Sequence, residues 1–369
     1  MCLKNQDYDG RFRQISVKLK RSGLDVQSRK GYFAINSSFA SPVLAYEAPA
    51  LSVLSNKTRP NSFPVYATAL SFPQADRPGL APLLVEVQTR DLTFASEPAK
   101  KIYNTDFSVV VLIKNSQALV IRKLSNQYKL SGALDKLEAA RRGSVLFYRE
   151  IDLEPGTYTV EAVVHDALNG KASARSTSFE VPAADILKPR VSSIAIIDRV
   201  EQLKAADKNP ASPFQIGEVL VYPNLGAPLR KSITKRLGFF FTAIMPKGDN
   251  TAPKMLLEIS QAERKLADIQ SELPAPDASG RIQHASAIPL ESFQPGTYEL
   301  KITVTGAQGF ATRSAQFTVH TLMATACGIT KGQTVHMKKF CSLFCSLQAL
   351  SLWPSVKLKV ALGSNPTLT

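Results

Sequence analysis

Cysteine is absent from the long central stretch between residues 3 and 326. The chain has only four cysteines, which are Cys2, Cys327, Cys341 and Cys345. No disulfide can therefore form within the central domains, and their stability must come from core packing. Cys341 and Cys345 could be metal ligands, but the nearest histidine is His336 and no second ligand pair stands at zinc-site spacing. Chance placement is the better interpretation.

Catalytic motifs are missing too. No Gly-x-Ser-x-Gly elbow, phosphate-binding loop, dinucleotide fingerprint or His-Glu-x-x-His sequence occurs. A nucleophile needs a base within hydrogen-bond distance, and four histidines offer few chances. His165 and Asp166 could form a dyad, but a solvent-facing strand residue followed by the start of a turn is the better interpretation. His284 is predicted to lie in a polar linker and His320 at the end of the last strand.

The acidic residues do not stand at calcium-binding spacing. Asp249 with Asn250, and Asp277, are isolated loop residues, whereas a calcium site needs about six oxygen ligands. We therefore predict no catalytic residue, no cofactor and no metal ion, and a protein that is not an enzyme.

Long hydrophobic runs are also absent, so the sequence predicts no membrane span, which needs about 20 consecutive apolar residues. The first ten residues lack the basic start and apolar stretch of a secretory signal. A stretch of that kind instead begins at Met337, within residues 321–369. We expect this tail to be either an aberrant product of translation past a damaged stop or a disordered segment. A membrane anchor is disfavoured because the apolar run is only about 14 residues.

Positive charge is abundant but unevenly placed. The formal net charge is +15, which at first suggests a nucleic-acid partner. However, residues 1–35 contain eight Lys and Arg against three Asp, and residues 321–369 contain five Lys and no acid. No basic run with interleaved aromatics occurs in the central body. We therefore expect no nucleic-acid binding.

The most informative feature that is present is a long-range repeat. The sequence LEPGTY at 153–158 recurs as FQPGTY at 293–298, and each copy runs on for about two dozen residues to a related end, at 174–181 and 312–319. After each Pro-Gly turn, apolar and polar residues alternate as in a half-buried strand. A glycine-containing turn then leads to a second strand, so each copy predicts a β-hairpin.

The tyrosine of each copy carries further information. Tyr158 and Tyr298 resemble the tyrosine corner of immunoglobulin-like folds, although Val160 and Leu300 stand where antibody domains have cysteine. Several short strands with little helix precede each repeat, apart from a short helix expected near 134–142. The predicted fold is all-β, with two tandem immunoglobulin-like antiparallel β-sandwiches preceded by an orphan β-hairpin.

The predicted domain boundaries follow from these patterns. Residues 36–82 contain seven prolines and no sustained periodicity, which is typical of an extended linker. The predicted units are a hairpin at 1–35, a proline-rich linker at 36–82, a first sandwich at 83–182, a second at 188–320 and the tail at 321–369.

The N-terminal hairpin is predicted from alternation through Ile15, Val17 and Leu19, a turn at Ser22-Gly23, and a returning strand from Leu24 to Phe33. One hairpin is only marginally stable alone, so it is expected to belong to a sheet whose other strands the chain lacks. It should then be mobile, prone to aggregation or docked on a neighbour. Deletion of residues 1–35 should leave the melting temperature of the sandwiches nearly unchanged and should improve solubility.

Residues 9–18 (DGRFRQISVK) and 23–34 (GLDVQSRKGYFA) resemble the closing strands of the von Willebrand factor A-related domain of acidobacterial type. In that family the A-related domain is followed by strand-rich modules with a Pro-Gly-Thr-Tyr signature, as at 155–158 and 295–298, so the resemblance covers residues 5–320. A-type domains hold a divalent ion through an Asp-x-Ser-x-Ser motif, and this chain lacks it. The chain is therefore expected to be the C-terminal part of such a protein, without the ion-dependent adhesion site.

This resemblance implies an extracytoplasmic location, in the periplasm, at the cell surface or secreted. It also implies an adhesion-like or spacer role toward an unknown protein or surface ligand. The alternative is an accessory β-sandwich region of a secreted hydrolase whose catalytic domain lies elsewhere.

Overall fold

The computed structural model describes most of the chain, and its strands confirm the predicted all-β fold class. Among these residues, no helix is both long enough and apolar enough to cross a membrane. The predicted features at Leu19, Ser22-Gly23, Leu24 and the tail from residue 321 lie outside the described residues. The described ranges are 7–17, 29–36, 42–56, 58–209, 211–249, 251–262 and 264–320.

The N-terminal part contains two short strands and one helix. Strands β1 (Phe12–Gln14) and β2 (Gly31–Phe33) pair antiparallel, as predicted. However, β1 ends before Ile15 and Val17, whose alternation was the basis of the prediction. Helix α1 spans Glu47–Ser55. Pro49 is tolerated there because it stands in the first turn, where a backbone N–H has no acceptor within the helix and its absence costs no hydrogen bond.

The first sandwich has two antiparallel sheets. One sheet has the strand order β3-β4-β8, and the other has the order β10-β9-β6-β7, with β5 paired to one end of β6. Alternate side chains of the two sheets meet in a continuous apolar core. The strand bounds are β3 Val65–Ala69, β4 Leu80–Gln88, β5 Ala95–Glu97, β6 Ile102–Lys114, β7 Val120–Ala133, β8 Ser144–Asp152, β9 Gly156–Asp166 and β10 Ala172–Val181.

The expected short helix lies between β7 and β8. It begins as a 3-10 turn at Leu134–Lys136 and continues as α2, Leu137–Ala140.

The second sandwich repeats this plan. One sheet has the order β18-β17-β20-β21-β15, and the other has β16 between β12 and β19, with β11, β13 and β14 at its margins. Of these pairings, only β15 with β21 is parallel. The strand bounds are β11 Arg190–Val191, β12 Ala195–Gln202, β13 Gln215–Ile216, β14 Val219–Pro223, β15 Leu229–Arg230, β16 Arg236–Ile244, β17 Lys254–Gln261, β18 Arg264–Glu272, β19 Arg281–Pro289, β20 Gly296–Gly306 and β21 Gly309–His320.

The two sandwiches share an immunoglobulin-like topology. The three-stranded sheet β3-β4-β8 corresponds to β12-β16-β19, and β10-β9-β6-β7 corresponds to β21-β20-β17-β18. The repeated tyrosines stand at the third position of the equivalent strands β9 and β20. The Tyr158 hydroxyl donates to the Glu154 carbonyl and the Tyr298 hydroxyl to the Gln294 carbonyl, both at 2.7 Å. These bonds are those of a tyrosine corner.

The prediction of an extended linker over 36–82 is wrong. This range contains α1, all of β3 and the start of β4. Because β3 is an integral strand, the first sandwich begins before residue 83. The helix and β3 are short and the prolines stand mostly near their ends, so no sustained periodicity marked either element.

The N-terminal hairpin does not stand apart from the first sandwich. Together with α1 it packs on the outer face of the β10-β9-β6-β7 sheet, where Phe33 and Leu51 lie in one cluster with Leu112 and Val163. The Val120 N–H, at the start of β7, donates to the Tyr8 carbonyl at 2.7 Å. The centre of this sheet, in β6 and β9, is therefore apolar and covered on both faces.

Candidate functional site

The two sandwiches meet through a buried apolar contact, which we call the inter-sandwich interface. The outer face of the β3-β4-β8 sheet packs against the outer face of the β12-β16-β19 sheet, with the β13-β14 segment beside them. Such faces are exposed when a sandwich stands alone. The buried members are Phe72, Leu84, Ala195, Phe214, Val221, Leu225 and Phe240, and partly buried Tyr66, Leu70, Leu146, Tyr148, Ile197, Ile216, Leu220 and Ala285 pack against them.

Three phenylalanines form the centre of this interface. Phe72 belongs to the first sandwich, and its ring stacks on Phe240 at 5.7 Å and meets Phe214 edge-on at 5.1 Å. All three side chains are at most 3% exposed. Aromatic pairs at such spacings add to the free energy of area burial.

Backbone and side-chain hydrogen bonds join the sandwiches beside the aromatic centre. The Ser71 N–H donates to Oγ of Ser193 at 2.8 Å, and the Ser193 N–H donates to the Ser71 carbonyl at 2.7 Å. The Gln74 side chain donates to the Ala211 carbonyl at 2.9 Å. These directional bonds fix the register of one sandwich on the other.

An ion-pair network holds the loop that carries Phe72. Arg77 lies 2.7 Å from Glu150 and 2.9 Å from Asp152, both on β8. Glu150 also accepts from the Tyr148 hydroxyl at 2.7 Å, and the Tyr148 ring contacts Phe214. Burial raises the pKa of Tyr148 well above its usual range, and the bond to Glu150 adds to this effect. The phenol therefore stays a neutral donor at the rim of the interface.

Glu86 is an unfavourable feature at the same interface. It lies on β4, and burial raises the pKa of its carboxyl. The Ser144 hydroxyl opposes this shift, whereas the negative charge of Asp198, across the interface on β12, raises the pKa further; Arg199 partly compensates. Ionised Glu86 therefore costs stability at neutral pH.

A second buried contact attaches α1 to the first sandwich. Glu47 and Lys123, from α1 and β7, form an ion pair in which both side chains are 1% exposed. Lys123 also donates to the Pro42 carbonyl at 3.0 Å, and Glu47 accepts from the Leu44 N–H at 2.8 Å. The pair is thus hydrogen-bonded, as a buried pair must be.

His165 and Asp166 do not form a dyad. They are consecutive in β9, so their side chains leave opposite faces of the sheet. Asp166 is fully buried and accepts from the Thr93 N–H at 2.8 Å and the Leu168 N–H at 3.0 Å, which makes it the start of the turn. His165 is half-buried rather than fully solvent-facing, and burial lowers its pKa.

The prediction that His284 lies in a linker is wrong. It is part of β19, opposite Phe241, and its ring lies 5.4 Å from that phenylalanine. Burial lowers its pKa, so the imidazole is neutral at pH 7. His320 ends the last described strand, as predicted.

Asp277 bonds within its own loop, whereas Asp249 bonds to its own loop and to the β20-β21 turn. Asp249 accepts from the Thr251 side chain at 2.6 Å and the Ala307 N–H at 3.0 Å, and Asp277 accepts from Ser279 and Arg281. Within the described ranges, no group of three or more His, Cys, Asp or Glu side chains could hold a metal ion. Asn250, the four cysteines and His336 lie outside those ranges.

Comparison with known proteins gives only structural likenesses. No family model and no curated protein matches the chain. The structure is similar to dimeric latent PorU from Porphyromonas gingivalis, with 13% identity, 76% of this chain and 21% of that chain covered, and a TM-score of 0.26. It is also similar to fibronectin(III)-like modules of Clostridium thermocellum CbhA, with 10% identity, 70% of this chain and 94% of that chain covered, and a TM-score of 0.18. At these TM-scores the fold assignment rests on strand topology, and the chain spans about a fifth of the PorU chain.

The residues of the inter-sandwich interface were not predicted from the sequence. A signal for them exists in the uninterrupted apolar runs at 83–85 and 239–241. In β16, Phe239 and Phe241 point into the core while Phe240 points to the interface. A strand that is apolar at every position is buried on both faces.

Proposed function

We propose that this chain is a rigid, non-catalytic two-module spacer in an extracytoplasmic protein. The observation that carries the proposal is the inter-sandwich interface. Domains joined only by a linker move relative to each other by default, and a large apolar interface suppresses that motion. A spacer that keeps a fixed geometry needs such an interface.

Two further observations support this role. The carboxylates of Asp166 and Asp249 accept backbone N–H groups and so stabilise turns. The resemblance of residues 9–34 to the von Willebrand factor A-related family supports an extracytoplasmic location and an adhesion-like context. A hydrolase activity lost on replacing His165 or Asp166 would contradict the proposal, as would finding the protein only in the cytosol of its native cell.

Rigidity can be tested by nitrogen-15 relaxation of the two sandwiches. The wild type should show one rotational correlation time for both. Phe214→Asp places a charge in the apolar centre, so the sandwiches should then tumble separately. Ile233→Asp is the matched control because Ile233 is 59% exposed, and it should change nothing. Two separate correlation times in the wild type would refute a rigid spacer.

A further inference from the structure

The segment that joins the two sandwiches, residues 183–188, is exposed at every position. It follows the end of β10 at Val181, which is buried, and it precedes Pro189, which is buried too. Ile186 and Leu187 have the two highest exposures among the large apolar side chains of the described residues, at 72% and 70%. Their side chains therefore contribute little to the packing of either sandwich.

Few bonds hold the backbone of this segment in place. Within the described part of the chain, the N–H groups of Ala184 and Ile186 have no hydrogen-bond partner in the protein. A turn is closed by Asp185, whose carboxylate accepts from the Leu187 N–H at 3.0 Å and pairs with Lys188 at 3.2 Å. An exposed ion pair of this kind contributes little free energy, so the segment can straighten at small cost.

A free backbone distinguishes this segment from other exposed apolar positions. An endopeptidase takes its substrate as an extended strand, so the target must be able to leave its own structure. Phe310 is 66% exposed, but it lies in β21 and is paired with Thr305. Ile233 is 59% exposed, but its N–H donates to the Arg230 carbonyl at 2.9 Å. Proteolytic nicking concentrates in exposed segments without such bonds, as at 183–188.

We propose that residues 183–188 are a processing site for an endopeptidase that selects aliphatic side chains. The peptidase takes Ile186 or Leu187 into its apolar pocket and adds water across the peptide bond that precedes it. The products are a carboxylate on the preceding residue and a new amino terminus at 186 or 187. The cut separates the two sandwiches in sequence and removes no strand from either.

The two products stay associated through the inter-sandwich interface. Phe72 belongs to the first product, and Phe214, which it meets edge-on, belongs to the second. The hydrogen bonds between Ser71 and Ser193 also join the two products. None of these contacts involves the segment that is cut. Cleavage therefore converts a single chain into a complex of two chains.

Limited digestion of the full chain with thermolysin, which cuts before aliphatic residues, tests the site. N-terminal sequencing should find a new terminus at Ile186 or Leu187 before any new terminus within either sandwich. The double variant Ile186→Asp, Leu187→Asp should be cut there at least about tenfold more slowly, since an apolar pocket selects against it. Ile233→Asp is the matched control and should be cut at the wild-type rate. Earlier cleavage inside the sandwiches, or equal rates in the double variant and the wild type, overturns the proposed site.

Size-exclusion chromatography of the digest tests whether the products stay together. The products of the wild type should co-elute at micromolar concentration. Those of Phe214→Asp should separate, because a charge in the apolar centre disrupts the interface. Separation of the wild-type products would overturn the association, and with it the interface on which the rigid spacer also rests. Failure of the cleavage test alone would leave the spacer role unaffected, so the two proposals fail separately.

Discussion

Burying a single charged side chain changes the folding stability, and Glu86 is the clearest case. Its pKa is raised above the value in the unfolded chain, so the folded state binds the proton more tightly. Stability therefore increases as the pH falls through the raised pKa and stops changing below the unfolded value near 4.5. At neutral pH the ionised carboxyl is a net cost.

Glu86→Gln should stabilise the protein at pH 7, because the amide keeps an acceptor for Ser144 and removes the buried charge. The melting temperature should rise by about 2 °C, and the gain should shrink as the pH falls toward 4. Thermal unfolding followed by circular dichroism from pH 4 to 8 measures this. Glu138→Gln, at an exposed pair with Arg141, should have no effect. A lower melting temperature for Glu86→Gln at pH 7 would show that the charge is stabilising.

Removing the charge of Lys123 from its buried pair with Glu47 should destabilise the fold, whereas removing the charge of Glu86 should stabilise it. Lys123→Met leaves Glu47 buried without its cation and should cost about 3–5 kcal/mol. The double variant Lys123→Met, Glu47→Leu replaces both charges by apolar groups and should recover most of that loss. Chemical denaturation of the two variants compares them directly. If the double variant were less stable than Lys123→Met, the ion pair would contribute more to the free energy of unfolding than the burial of its two charges costs.

At the scale of elements, sequence periodicity identified β20, in which Tyr298 starts a clean alternation after a Pro-Gly turn. It also identified β9 after Tyr158, although Val163 on the other face of that strand is buried too. Strands that are buried on both faces give no alternation, so β4, β6 and β16 did not reveal what covers them. The segments that cover these strands are distant in the sequence, and a local sequence pattern carries no information about such long-range contacts.

The sequence also did not predict where the hairpin and α1 pack. The N-terminal alternation predicted a strand pair, but not that it packs on Leu112 and Val120. The expectation that removing residues 1–35 leaves the melting temperature unchanged is therefore revised. Deletion removes Phe33 and Ile35 from the apolar cluster on the outer sheet face, while α1 stays in place, so we now expect a lower melting temperature and poorer rather than better solubility.

Gly10→Ala tests this docking with a small change. Gly10 has φ +79°, and an added methyl would lie 2.8 Å from Cδ1 of Leu112. The matched control is Gly170→Ala, which has φ +71° but no atom within 4 Å of the added methyl. Both variants carry similar backbone strain, so only Gly10→Ala should release the hairpin, seen as faster hydrogen exchange in residues 7–17 and 29–36. Equal exchange in both variants would contradict the docking.

At the scale of the whole molecule, the repeat predicted two similar sandwiches, and the structure adds that they pack face to face. Ser71 and Ser193 lie 122 residues apart in sequence, yet their backbones are hydrogen-bonded to each other. Nothing in the local sequence around either serine marks it as a contact. The central claim is therefore the inter-sandwich interface itself.

Disulfide trapping tests that claim most directly. In a background with the four natural cysteines replaced by serine, Ser71→Cys with Ser193→Cys should oxidise almost completely under mild conditions, since the two backbones are close enough for a disulfide. The bond should also raise the melting temperature, because it closes a long loop. Ser71→Cys with Ser96→Cys, a pair at opposite ends of the first sandwich, is the control that should stay reduced. Free thiols at 71 and 193 under the same oxidant would show that the sandwiches do not pack face to face.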